Sequence, residues 1–137
     1  MFEQCLYFNT TSLARKLERE WSLAFKPFGL TPSQAFMLRV ILEKPGSYQN
    51  ALAKQMNITK PTASRGLDGL ERLGLIERIP SPNDARELEI HPTKNAKVMK
   101  DGLNMASGEV TKKFKRLLGS NEFLDVVAKL RGISDAL

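Results

Sequence analysis

The chain is poor in the residues that most catalysis and metal binding need. It has one cysteine, Cys5, and one histidine, His91, among 137 residues. A single cysteine excludes an intrachain disulfide. One histidine and one distant cysteine are too few ligands for a zinc site, so no metal is expected, and no motif points to a cofactor. Ser81, His91 and Asp84 can be drawn as a triad, but no nucleophile elbow surrounds them. Without paired catalytic groups the chain does not read as an enzyme. Long hydrophobic runs are also missing. The longest, residues 35–42, contains Arg39 and is far too short to span a bilayer, so no membrane partner is expected. The first residues lack a basic region, and Glu3, Gln4 and Asn9 interrupt their apolar positions, unlike a secretory signal. A cytoplasmic protein is the expectation. No internal repeat or low-complexity segment is present.

What is there is an ordinary folding composition, 42% hydrophobic and 26% charged, in a length that suits one domain or one domain with appended helices. Basic residues outnumber acidic ones, 21 to 15, for a net charge of +6. That balance favours polyanions, though total charge alone is equally met by a merely basic surface. The charge is uneven. Residues 94–116 carry seven basic groups against two acids, and residues 54–78 carry five (Lys54, Lys60, Arg65, Arg72, Arg78) against three.

Apolar periodicity predicts a mainly α chain with a small β-hairpin. A first helix is expected over residues 2–26, with Leu6, Leu13, Leu17, Trp21, Ala24 and Phe28 along one face. Thr31-Pro32-Ser33-Gln34 predicts a capped helix start, and Lys44-Pro45-Gly46 an end. A short helix over 48–56, the turn Asn57-Ile58 and a second helix capped by Thr59 follow. That helix buries Ala63, Leu67, Leu70 and Leu73 and stops at Gly74. Strands are expected over 76–80 and 87–91, the second with Leu88 and Ile90 inward. Thr93 caps a long helix to about residue 118, with a stripe of Met99, Leu103, Ala106, Val110, Phe114 and Leu117. Ser120 caps a last helix carrying Phe123, Val127, Leu130 and Ile133.

Helix, turn, helix and charged hairpin in that order form a winged helix-turn-helix, which reads duplex DNA. The second helix presents Thr59, Lys60, Thr62, Ser64 and Arg65 near its start. Lysine and arginine can pair with guanine or phosphate, and the hydroxyls can bond to either. An ordinary solvated face has the same composition. The hairpin shifts the balance, because Arg78 and Arg86 suit a wing that reaches the negative potential of a minor groove. Asp84 is expected to hold Arg86 or Arg78 by a salt bridge. The flanking helices carry more apolar surface than a core of this size can cover, so a homodimer is expected. The organisation is residues 1–30 as an N-terminal dimerisation helix, 31–92 as the DNA-binding core and 93–137 as C-terminal dimerisation helices.

The pattern resembles the MarR family of bacterial transcription regulators. The resemblance is carried by Gly29-Leu30-Thr31-Pro32-Ser33-Gln34, Ala51-Leu52-Ala53, the stretch from Leu70 to Arg78, and the wing signature Asp84-Ala85-Arg86 followed by Pro92-Thr93. It implies a dimeric repressor that binds a palindromic operator and is released by a small-molecule or oxidative signal, with Arg86 as the wing-tip arginine and Asp84 as its partner. It implies a small aromatic or phenolic effector, for which Trp21, Phe25, Phe36 and Arg39 are the candidate pocket; the same aromatics also suit a plain core. Cys5, near the start of the first helix, resembles the cysteine of oxidation-sensing members, where tyrosine hydroxyls assist the thiolate; Tyr7 and Tyr48 are the tyrosines here. The alternative is a small buried cysteine on the dimer face. The chain departs from the family at Gly66 and Gly69 inside the second helix, at Ala85, where a second arginine is common, and at Asn95-Ala96. Gly69 and Ala85 favour a rival reading, a winged-helix protein-interaction module without DNA binding.

Overall fold

A computed structural model describes residues 1–137. The elements are α1 (Leu6–Phe25), a 3-10 turn (Lys26–Phe28), α2 (Pro32–Glu43), β1 (Ser47–Tyr48), α3 (Gln49–Met56), α4 (Lys60–Arg72), β2 (Ile76–Pro80), β3 (Leu88–Pro92), α5 (Lys94–Leu118) and α6 (Ser120–Ala136). No helix is long and apolar enough to cross a membrane.

Local chemistry sets most boundaries. Thr31 and Gln34 form a reciprocal capping box, with Gln34 N donating to Thr31 Oγ1 (3.2 Å) and Thr31 N to Gln34 Oε1 (3.0 Å). Two orphan amides of α2 are thereby satisfied. Gly29, at φ +70°, turns the chain into it. The first helix begins at Leu6, four residues later than periodicity predicts. Cys5 is its cap, its Sγ accepting from Phe8 N at 3.5 Å. Asn9 Nδ2 donates to the carbonyls of Phe2, Glu3 and Cys5, folding the first residues back over the opening turn.

The core gathers around α2. Phe25, Leu38, Ile41, Leu52, Leu67, Leu70, Ile76, Ile90 and Leu103 are its fully buried large side chains. Leu73, expected inward, is half exposed, because α4 ends at Arg72 and Leu73 is already its C-cap. Leu75 takes the buried place instead.

The sheet has the order β1-β3-β2, antiparallel throughout, with Arg78 opposite Ile90 and Ser47 also opposite Ile90 on the far side. Sequence periodicity does not reveal the two-residue β1. The return strand runs one residue later than expected, and its inward residues are Ile90 and Pro92. Leu88 is exposed, because it lies beside the wing loop, beyond the reach of the core.

Thr93 caps α5 through Ala96 N and also donates to the Gly74 carbonyl at 2.8 Å, tying the long helix to the end of α4. The helix α5 buries Ala96, Leu103 and Ser107, while Leu117 near its end is exposed. Ser120 does not cap α6. Gly119 holds that position with φ +87°, and Ser120 is the first helical residue. No residue of α6 is buried.

Candidate nucleic-acid interface

Thr59 holds the start of α4. Its Oγ1 accepts from Thr62 N (3.3 Å) and donates to Thr62 Oγ1 (2.9 Å), which accepts from Arg65 Nη2 (3.2 Å). Spacing of three residues puts these groups on one edge of the helix. Lys60, Thr62 and Arg65 are exposed there and Ser64 is half-buried. The first amides of a helix also favour an anion.

Arg78 is not part of that face. Its Nη2 lies 2.6 Å from Asp68 and 3.0 Å from Glu71, its Nε 3.3 Å from Glu71, and its side chain is 16% exposed. Hydrogen bonding to Glu71 raises the Arg78 pKa further above its ordinary value, and the same bond holds the Glu71 carboxyl below its ordinary range. Arg78 therefore clamps β2 to α4. It also absorbs two of the three carboxylates between residues 54 and 78. Lys60 and Arg65 are left without a carboxylate partner in the chain, so the start of α4 keeps its positive potential.

The wing loop, residues 81–87, is closed by Ser81 N donating to Glu87 O at 2.9 Å. Asp84 accepts from the backbone N of Arg86 (3.0 Å), from its Nε (3.2 Å) and from its Nη2 (3.5 Å). Those bonds, the backbone one foremost, lower the Asp84 pKa. Of the two arginines expected as its partner, Asp84 holds Arg86. The Arg86 side chain is nonetheless 92% exposed, aimed by the carboxylate and open to solvent.

Packing accounts for one of the two glycines in α4, Gly66. A Cβ on Gly66 would lie 2.7 Å from Met37 Cε and 3.0 Å from its Sδ, so α2 and α4 approach closely there. A Cβ on Gly69 would meet Gln34 Nε2 at 3.5 Å, an ordinary contact.

A sequence model of the MarR family matches residues 28–87, the stretch from the end of the first helix through the wing. Over that stretch, somewhat under half of its length, the chain is similar to the MarR family. The HTH-type transcriptional regulator YybA of Bacillus subtilis is 32% identical to it over 85 residues, 62% of this chain. A transcriptional regulatory protein for the hcr operon of Thauera aromatica is 40% identical over 65 residues, 47% of this chain. The matches span 57% and 39% of those relatives' own lengths. These relatives are regulators and not enzymes. The structure of S. aureus MepR in complex with DNA aligns with a TM-score of 0.88, at 23% identity, over 98% of this chain and all of that one, a likeness of fold.

Away from this face, a cavity of about 760 Å³ lies among α1, α2, α5 and α6, lined mostly by apolar side chains. Trp21, Phe36 and Arg39 line it. Phe25 does not; it is fully buried in the core, with its ring edge-on to Phe36. Arg39 is the cavity's only charged residue. Its Nε donates to Asn104 (2.8 Å), its guanidinium lies 5.0 Å from the Phe36 ring centre, and burial lowers its pKa while Glu43 opposes the shift. Trp21 stacks on Phe114 and donates from Nε1 to Ser107 (3.1 Å). Asn104 and Ser107 are polar interruptions of the α5 stripe, a signal visible in sequence but silent about their partners. Cys5 is half-buried, and within the chain its Sγ is bonded only by Phe8 N. Tyr7 is exposed, and the Tyr48 hydroxyl is bonded to Ser81 in the wing.

Proposed function

We propose that the chain is a sequence-specific, DNA-binding regulator of transcription that works as a homodimer in the cytoplasm. The observation that carries this reading is the pairing of charges around α4. Arg78 neutralises Asp68 and Glu71, which leaves Lys60 and Arg65 free at the start of the helix, and Asp84 orients an exposed Arg86 on the wing. Thr59, Thr62 and Ser64 add hydroxyls to the same end of the helix. MepR, of the same fold, was solved on DNA. In this reading Lys60 and Arg65 enter the major groove, Arg86 the minor groove, and Arg78 keeps the two elements in register without touching DNA. The interaction-module alternative rested on Gly69 and Ala85; the exposed cations at the start of α4 and on the wing favour DNA binding over it.

The homodimer reading rests on exposed area. The chain exposes 9585 Å², whereas a compact monomer of 15.4 kDa is expected to expose about 7,200 Å². The excess well exceeds the roughly 800 Å² per partner of a standard interface. The exposed apolar side chains concentrate on residues 1–30 and 93–137, among them Leu6, Leu13, Leu117, Leu124 and Ile133. These segments form the dimerisation unit around a DNA-binding core of residues 31–92. Cys5 caps α1 among such side chains and is read as part of that interface. The cavity is within the range of small-ligand sites, and a small aromatic or phenolic acid with its carboxylate on Arg39 suits it. Its binding would release a repressor from a palindromic operator.

The test is a salt-dependent selection from a random duplex library. A palindrome with half-sites one turn apart, bound with an affinity that falls steeply with salt, is the expected result. Arg65→Ala is expected to change base preference or affinity. Enrichment of no sequence at low salt would overturn the reading. Quenching of Trp21, the single tryptophan, reports on occupancy of the cavity in the same preparation.

A further inference from the structure

We propose that Tyr48 and Ser81 form a brace that sets where the wing sits relative to the helix-turn-helix, and so aims Arg86. The purpose rests on the DNA-binding reading above; the brace itself does not.

Two strands of five residues make a hairpin that is marginal on its own. β2 pairs only with β3, and the other edge of β3 holds just the two residues of β1. Tyr48 and Ile79 both lie opposite Glu89, so the three share one face of the sheet. Alternation along β2 brings Ser81 to that face as well. The tyrosine reaches across β3 from one outer strand to the end of the other, its hydroxyl 2.9 Å from Ser81 Oγ.

Ser81 is built to be held. It is 5% exposed, one of only two buried polar residues of the chain. Its Oγ accepts from Asn83 N at 3.2 Å, and its own N–H donates across the loop mouth to Glu87. Pro80 and Pro82 flank it, one with φ fixed and the other confining Ser81 to extended backbone. Three residues on, Asp84 holds Arg86. At its other end Tyr48 is the N-cap residue of α3. The wing is thus fastened twice, to α4 through Arg78 and to the start of α3 through Tyr48.

Tyr48→Phe removes only the hydroxyl and leaves the ring. In the free protein it is expected to speed amide exchange over residues 80–88 while α2 and α4 are unchanged. Unchanged exchange in the wing would overturn the brace. On the selected operator, Tyr48→Phe and Ser81→Ala are each expected to weaken binding about three- to tenfold, the worth of one hydrogen bond. The double variant should be no weaker than the worse single one. In an Arg86→Ala background, Tyr48→Phe should change affinity less than about twofold, because the brace acts through the arginine. An equal loss with and without Arg86 would refute the aiming role. A wild-type protein that selects no duplex would defeat the DNA-binding reading, while the exchange measurement would still decide the brace.

Discussion

The winged-helix core and the terminal helices are built to different degrees of completion. From α2 to β3 the core closes on itself, with Leu38, Ile41, Leu52, Leu67, Leu70, Ile76 and Ile90 fully buried and the starts of α2 and α4 capped by threonine side chains. The stretch of α5 beyond Ser107 and all of α6 bury no side chain in the single chain. The difference teaches where the two kinds of surface belong. A self-sufficient core can spend its exterior on free cations, as Lys60 and Arg65 do. Helices with leucines half or more exposed need a second surface before they are stable.

The comparison can be broken at several levels. Leu117→Glu with Leu124→Glu places charge on well-exposed apolar positions of α5 and α6 without touching the core. Sedimentation should show single chains, and operator affinity should fall about a hundredfold or more, because two half-sites are no longer linked. A dimer that survives both changes would put the interface elsewhere. Leu67→Ala strikes the core instead. Leu67 is fully buried, and the expected cost is about 2–5 kcal/mol by denaturant unfolding. A cost under about 1 kcal/mol would mean the core is less complete than it looks.

Smaller changes test the fit of α4 on α2. Gly69→Ala should stabilise the protein by up to about 1 kcal/mol, the helix preference of alanine, because its Cβ meets only an ordinary contact. Gly66→Ala should gain less, or lose, because Met37 must move to admit a Cβ. Equal gains would show that Met37 swings away freely. The gentlest probe is acid. The Glu71 carboxyl titrates below its ordinary value in the folded chain. Its ion pair with Arg78 therefore contributes fully above the ordinary carboxylate range and is lost as pH falls through the lower folded value. Carboxyl NMR should return Glu71 toward its ordinary value in Arg78→Gln; no change would free Arg78 from the clamp.

Much of this architecture was legible in the sequence because its signals are local. The capping box at Thr31, the caps at Thr59 and Thr93, and the glycines at 29, 74 and 119 each act within a few residues of themselves. What was not legible depends on distant partners. β1 is two residues long and exists only because Ile90 lies beside it. Leu73 and Leu88 fit the apolar periodicity and still face water, one beyond the end of its helix and the other beyond the edge of the core. In the candidate site, Arg86 and Asp84 could be paired from spacing. Nothing in spacing says that Arg78 turns to Asp68 and Glu71, and its charge alone made it a DNA contact. Trp21, Phe36 and Arg39 come together on one cavity, but Phe25 follows the same periodicity into the core.

The strand order β1-β3-β2 has a consequence for colloidal behaviour. It leaves the outer side of β2 as an open edge, the kind of surface on which a second chain can add a strand. That edge runs Ile76-Glu77-Arg78-Ile79-Pro80. Its proline ends the ladder, and the exposed charge of Glu77 opposes a flat hydrophobic approach. Copies crowded along one polyanion meet at high local concentration, and an unguarded edge there would seed aggregates. The wing carries its own protection against that in the strand that supports it.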